Sequence, residues 1–373
     1  MTAIRRVLLV GPLEGARWRS ISAYTRSLQA MLLSAGIEVE TAAAPWFNPP
    51  SMLAGARARR TAQRQVRASE EGYYDLVHLT DHALGHHVPR FQRGSPVVVT
   101  CHDIMPFTVR GYYRSSVEGK LKRAFLQRPQ KLMCEADALI TVSEFTRGEV
   151  LARYGVNEFK VVVVPNMVRA AFRPAGRAEA ESALVARQIK LPAGSRIVSV
   201  GHTQGYKNLQ AVLKALSQPV LAHAQLIRVG SKLSPELLQL AKQLGVSSRI
   251  HQLGAVSDEV LALVYAASDA LAQPSLAEGF GIPVIEAMAC GLPVVASDGG
   301  ALPEVIGDAG IIVPLAPPDF AGRFARALSS SFEQRADLAS ADIVRAGRYR
   351  SRAVLPALLA AYQRAITLSD SER

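Results

Sequence analysis

Short runs rich in β-branched residues alternate with longer amphipathic runs along most of the chain, and this alternation leaves little choice of fold. RRVLLVG (5–11), GIEVETA (36–42), DLVHL (75–79), PVVVTC (96–101), DALITVS (137–143) and KVVVVP (160–165) form a first series. The pattern pauses over 166–188. It restarts with RIVSVG (196–201), AQLIRVG (224–230), RIHQLG (249–254), DALAQP (269–274), PVVAS (293–297) and GIIVP (310–314), each ending in Gly, Pro or Ser. Between them lie helical stretches such as ISAYTRSLQAMLLSAG (21–36). Strand–helix alternation of this kind builds a parallel sheet with helices on both faces. At 373 residues the chain is too long for one typical core. The expected class is therefore α/β, with two doubly wound Rossmann-like domains at 1–175 and 176–350. Residues 351–373 are expected as a C-terminal helix returning to the first domain. Ligands of open parallel sheets bind beyond the carboxyl ends of the strands, so the site is expected in the cleft across which the two domains face.

Composition narrows the class. Hydrophobic residues make up 49% and charged residues 20%, which suits a soluble globular enzyme. No run approaches the length of a membrane span. The apolar run after Arg5 and Arg6 stops at Gly11-Pro12, so it reads as a buried first strand rather than a signal peptide. Cys101, Cys134 and Cys290 are odd in number and scattered, without metal spacing or a disulfide framework, so a reduced, cytoplasmic protein is expected. Of the net charge of +12, residues 1–175 carry +10. Two runs concentrate it: ARARRTAQRQVR (56–67) and the stretch from Arg110 to Lys131, where Tyr112, Tyr113, Leu121, Phe125 and Leu126 are interleaved. An anionic membrane or acceptor surface, a nucleic-acid surface and a merely solvated helix face all fit these runs.

The stretch AEGFGIPVIEAMACG (277–291) carries the most chemistry. Gly279 and Gly281 permit tight turns, Pro283 suits a first helical turn, and Gly291 suits the position after a helix end. A helix over about 282–290 follows, and its free N–H groups form a phosphate or diphosphate site. Glu278 just before it and Glu286 one turn inside it would accept hydrogen bonds from sugar hydroxyls. The plainer alternatives are dipole stabilisation for Glu278 and a solvent-facing position for Glu286. In SVGHTQGYKNLQAVLKAL (199–216) a strand ends at Gly201 and a helix begins near Asn208, which puts Lys207 where it can neutralise phosphate; a surface lysine is the alternative. VVVTCHDIMPF (97–107) sets His102 and Asp103 at a strand end, with a core histidine as the alternative. HLTDHALGHH (78–87) has four histidines but lacks metal-site spacing, and Gly85 argues against a helix there. No nicotinamide fingerprint follows the first strand.

EGFGIPVIE (278–286) resembles the Glu-x7-Glu element of the retaining family 4 glycosyltransferases of the GT-B fold, of the bacterial group 1, mannosyltransferase-like type. VSEFTRGEVLARYGV…VVVVPN (142–166), SVGHTQGYKN (199–208), LGAVSDEVLALVYAASDALAQPS (253–275), SDGGALPEVIGDAG (297–310) and TCHDIMPF are similar to successive blocks of that family, in its order. The resemblance implies hexose transfer, mannose favoured, from a nucleotide sugar to a saccharide or lipid-linked acceptor in bacterial polysaccharide or lipopolysaccharide assembly. The donor it implies is GDP-mannose or a UDP-sugar, with no cofactor and no metal. By position, Glu286 would hold the ribose and Glu278 the donor sugar. Lys207 would hold the diphosphate, alongside the backbone of Gly279, Phe280, Gly281 and Ile282, with Gly201, His202 and Asn208 in the adjoining loop. Gly15 would approach the distal phosphate, and His102 the transferred sugar. The catalytic set is then His102, Glu278 and Lys207. The acceptor would dock on the basic first half, with possible peripheral contact at the inner face of an anionic membrane and no nucleic acid. Two departures stand out. Tyr206 and His202 occupy positions where relatives carry arginine, and the family's P-N-G-V-D reads Pro165-Asn166-Met167-Val168-Arg169. The rival readings are an inactive sugar-nucleotide-binding module and a GT-B epimerase.

Overall fold

The computed structural model describes residues 4–11, 19–43, 64–108, 127–316 and 318–372. The chain divides into unit 1, Met1–Met167 with Ser351–Arg373, and unit 2, Val168–Arg350. Each contains a six-stranded sheet, and every strand pair is parallel. Unit 1 holds β1 (Arg6–Gly11), β2 (Glu38–Ala43), β3 (Leu76–Leu79), β4 (Val97–Cys101), β5 (Ala138–Thr141) and β6 (Val161–Val163) in the order β2-β1-β3-β4-β5-β6. Unit 2 holds β7 (Arg196–Gly201), β8 (Gln225–Gly230), β9 (Ile250–Gly254), β10 (Ala270–Gln273), β11 (Val294–Ser297) and β12 (Ile311–Val313) in the order β12-β11-β10-β7-β8-β9. Each strand coincides with one of the runs read from sequence, and the two parallel sheets with their helices are the expected α/β class.

The strands of unit 1 read as unbroken apolar runs because both faces of the sheet are covered. Leu8, Val10, Val77, Val97 and Val99 join one core. Val7, Leu9, Leu76, Val98 and Ile140 join the other, with Tyr24, Leu28 and Leu32 from the helix Arg19–Ser34. The C-terminal helix Ser351–Glu372 completes this second core with Val354, Leu358, Ala361, Tyr362 and Ala365. A buried polar chain fastens it: His78 Nδ1 meets the Tyr362 hydroxyl at 2.8 Å, and His78 Nε2 meets Thr100 Oγ1 at 2.7 Å. Tyr24 extends the chain to Thr100 at 3.1 Å. Burial lowers the His78 pKa to about 3, so the ring is neutral.

Two details differ from the sequence reading. The passage into unit 2 falls at Val168 rather than at 175/176, because the Val168 N–H donates to the Tyr349 carbonyl and Arg350 donates to that of Phe172. A 3-10 turn forms over His82–His87 despite Gly85, whose missing side chain lets Pro129 and Met133 approach.

In unit 2, Asp342 on the helix Arg335–Ala346 is fully buried, and among the described residues neither carboxylate oxygen has a partner that meets hydrogen-bond geometry. The Val294 N–H favours the charged form but does not outweigh burial. Burial pushes its pKa up to about 8. A raised folded value means that stability is fully present below the unfolded pKa and is lost as pH rises toward 8. Asp342→Asn is therefore expected to raise the melting temperature at pH 8 by several degrees, at about 2–4 °C per kcal/mol. The gain should vanish near pH 4, as thermal unfolding across that range will read.

Candidate functional site

The candidate site residues of unit 2 gather where β7 and β10 end. Gly201 closes β7 with φ +119, and the loop after it carries a 3-10 turn, Gly205–Lys207. Asn208, at φ 52, opens the helix Leu209–Leu216. The Asn208 amide donates to the Pro274 carbonyl at 3.1 Å, which ties this loop to the one after β10.

Glu278 lies in that second loop and is 5% exposed. Its Oε1 accepts from Lys207 Nζ at 2.6 Å, from Gln273 Nε2 at 2.6 Å and from Ser275 Oγ at 2.7 Å. Among the described residues every hydrogen bond to this carboxylate falls on Oε1, which leaves Oε2 to accept from a ligand. Lys207 is itself buried to 12% side-chain exposure and pairs with Glu278 across 71 residues of sequence, so it is no surface lysine. Gly299 and Gly300 pack against the backbone of Ser275 and Glu278, where any Cβ would collide. The Ala301 N–H donates to the Glu278 carbonyl at 2.9 Å, and the Ser297 hydroxyl donates to that of Ser275. The SDGG block thus serves as the backing of the Glu278 loop.

The expected helix forms over Ile282–Ala289, with Gly281 at φ 100 as its N-cap and Pro283 in the first turn. It is buried from Val284 to Ala289. Phe280 is buried edge-on against Tyr349, with centroids 5.5 Å apart. Glu286 is 3% exposed, so the solvent-facing alternative fails. Its Oε1 accepts from Arg169 Nη2, whose Nη1 donates to Asp258 Oδ2 at 2.8 Å. Burial raises the Glu286 pKa to about 7, while Arg169 opposes the rise.

His202 and Tyr206, at the positions of the missing arginines, bond to each other at 2.9 Å. Burial, then Lys207, lowers the His202 pKa to about 4, so it adds no charge. The arginine found here instead is Arg228 on β8. It is 1% exposed, and its guanidinium donates to the carbonyls of Ser199, Val229, Gly201 and His202. It clamps the carboxyl end of β7, and burial lowers its pKa to about 10. Sequence reading passed over it, although an arginine inside QLIRVG is an anomaly in a buried strand. The pairings of Arg169, Gln273 and Ser275 were also missed.

His102 belongs to unit 1, at the end of β4. Its Nε2 donates to the Thr80 carbonyl at 3.0 Å and its ring stands edge-on to Tyr24. Burial lowers its pKa. The ring is thus neutral with its proton on Nε2, which leaves Nδ1 as an acceptor for a hydroxyl. Gly15 lies outside the described residues, as do Arg57, Arg59 and Arg60 and most of 110–131.

Residues 22–172 match the model of Glycosyltransferase Family 4, and residues 194–331 match that of Glycosyl transferases group 1. D-inositol 3-phosphate glycosyltransferases of Mycobacterium bovis and Mycobacterium tuberculosis are 31% identical over 237 residues, covering 61% of this chain and 48% of theirs. The chain thus spans about half the length of the curated relatives it matches. Among solved structures, sucrose-phosphate synthase from Thermosynechococcus elongatus aligns with TM-score 0.71 at 22% identity, over 95% of this chain and 97% of that one. Anabaena HepE in complex with UDP aligns with TM-score 0.68 at 20% identity, over 95% and 98%.

Lys207→Met should destabilise unit 2 by about 3 kcal/mol, since it leaves a buried carboxylate without its cation. Lys207→Met combined with Glu278→Gln should recover most of that loss in a denaturant double-mutant cycle.

Proposed function

From the premise that the chain belongs to the family 4, group 1 glycosyltransferases of the GT-B fold, we propose that it transfers a hexose from a nucleoside diphosphate sugar to an anionic saccharide or lipid-linked acceptor. The observation that carries this reading is the pair of buried carboxylates in unit 2. Glu278 and Glu286 flank the start of one helix, and each has its own cation. An acid beside an anion site is unfavourable unless it receives hydroxyls. The diphosphate lies by the backbone of Gly279–Ile282 and by Lys207, Glu278 receives the sugar hydroxyls and Glu286 the ribose. Lys207 and the helix N-terminus then stabilise the charge that develops on the leaving diphosphate. No metal or cofactor enters this scheme.

Transfer with retention, by front-face displacement, fits this layout. The leaving phosphate takes the acceptor's proton, and the scheme uses no carboxylate as a nucleophile. Isolation of a glycosyl-enzyme adduct would contradict it. Mannose from GDP-mannose is the favoured transfer; the UDP in the HepE complex makes a UDP-sugar the competing donor. The +10 charge of residues 1–175 suits an acceptor that carries phosphate, such as a lipid diphosphate in polysaccharide or lipopolysaccharide assembly. The inositol 3-phosphate in the relatives' name is likewise an anion. No helix of the described residues is long and apolar enough to cross a membrane, and work at the inner membrane face would proceed by peripheral contact. The protein should sediment with anionic vesicles at about 0.1 M salt, where screening acts over roughly 10 Å; recovery in the supernatant would reject that contact.

Transfer assays with labelled GDP-mannose and UDP-glucose test the function. Glu278→Ala should lower kcat about 100-fold with little change in KM, and Glu286→Ala should mainly raise the donor KM. Release of free sugar or an isomerised donor, with no glycoside formed, would favour an epimerase. If both variants keep full activity, the assignment fails.

A further inference from the structure

One of the two residues that depart from the family's P-N-G-V-D also donates to Glu286. Arg169 stands at the last position of Pro165-Asn166-Met167-Val168-Arg169, where relatives carry aspartate. We propose that Arg169 is a positioning residue for the donor: it keeps the Glu286 carboxylate charged and turned to accept the ribose hydroxyls, while Asp258 fixes the guanidinium from its other side. The proposal rests on the reading that Glu286 receives the ribose.

Glu286 sits on a helix whose neighbours Val284, Ile285, Ala287 and Met288 are all fully buried. A lone carboxylate in such a place takes up a proton, and the acid that results offers a donor where the ribose needs an acceptor. Among the described residues the hydrogen bond to this carboxylate comes from Arg169, and it occupies Oε1 alone. Arginine suits the task because its planar fork serves two carboxylates at once, Glu286 through Nη2 and Asp258 through Nη1 at 2.8 Å. The fork also packs against an aromatic ring. Its carbon lies 5.0 Å from the centroid of the Phe172 ring, which is fully buried and packs 6.0 Å from Tyr265. Arg350 donates to the Phe172 carbonyl at 2.8 Å and fixes the segment.

The other groups that face Glu286 do not replace Arg169. Asp258, from the helix Asp258–Ala266, raises the Glu286 pKa. Tyr265 from the same helix has its pKa raised by burial, and the Cys290 thiol is pushed up to about 12 by burial, so both are neutral at working pH. Arg173 and Arg350 act on Cys290. Arg169 thus opposes both burial and Asp258, and the balance leaves Glu286 near 7. Its ionised fraction grows as pH rises through that value, and removal of Arg169 moves the rise to higher pH.

The test is calorimetric binding of UDP and GDP between pH 6 and 9 to the wild type and to Arg169→Met, Arg169→Lys, Glu286→Gln and Arg169→Met/Glu286→Gln. Ratios to wild type cancel the nucleotide's own titration. Arg169→Met should bind about tenfold more weakly at pH 7, the effect of one lost charge-assisted hydrogen bond. Its deficit should shrink toward pH 9, and Arg169→Lys should restore most of the loss. Arg169→Met should add nothing on the Glu286→Gln background. Equal loss on both backgrounds, or a deficit independent of pH, would overturn the proposal. A ¹³C carboxyl titration of Glu286 in the ligand-free protein separates this outcome from failure of the donor reading. A midpoint at least one unit higher in Arg169→Met, or in Arg169→Gln if the first variant does not fold, supports the role, and equal midpoints refute it. If the wild type binds neither nucleotide while the midpoints differ, the donor reading falls and Arg169 has no ribose to serve.

Discussion

The arrangement around Glu278 and Glu286 follows from the need to neutralise two carboxylates that have been taken out of water. A buried charge without a partner costs several kcal/mol, so each acid recruits a cation from a remote part of the chain. Lys207 reaches Glu278 from the loop after β7, and Arg169 reaches Glu286 from the segment that enters the unit. The Lys207–Glu278 pair joins the loops after β7 and β10, which Asn208 also ties together. Gly299 and Gly300 lack side chains because the backbone of the Glu278 loop lies close against them. The acids flank a helix N-terminus that favours anions, and hydroxyl acceptors beside such an end would suit the nucleotide sugar proposed as donor.

Unit 1 solves a different problem, closing a core with a helix from the far end of the chain. Apolar contacts from Val354 to Ile366 supply the burial, and the chain Tyr362–His78–Thr100–Tyr24 gives the helix its register. Because His78 must be neutral there, acid weakens this tie. Its folded pKa lies below that of a free histidine, so its contribution is lost as pH falls from about 6.5 toward 3.

The strands and the Ile282–Ala289 helix were legible because their causes are local. β-Branched residues crowd a pleated strand, glycine permits the left-handed turn at Gly281, and proline tolerates a first helical turn. The two acids were singled out by their spacing, nine residues end to end in EGFGIPVIE. Their partners were not. Lys207 and Arg169 lie 71 and 117 residues from the acids they meet, and no periodicity reports such a distance. Burial of Glu286 was equally hidden, since an acid on a short helix reads as solvated until the elements packed around it are known. Arg228 shows the opposite case. Its signal, a charge inside a parallel strand, was present in the sequence, but its meaning depended on the carbonyls that converge where β7 and β8 end.

Binding of a nucleoside diphosphate by unit 2 is the claim on which the rest stands, and a thermal-shift series with UDP, GDP, ADP, UMP and GMP tests it most directly. A ligand at about 100 times its dissociation constant adds roughly 2.7 kcal/mol to stability. One of UDP or GDP should raise the melting temperature by several degrees at pH 8, the matching monophosphate should raise it less, and in Glu286→Ala both shifts should be much smaller. No shift with any diphosphate, or an equal shift in Glu286→Ala, would contradict that claim.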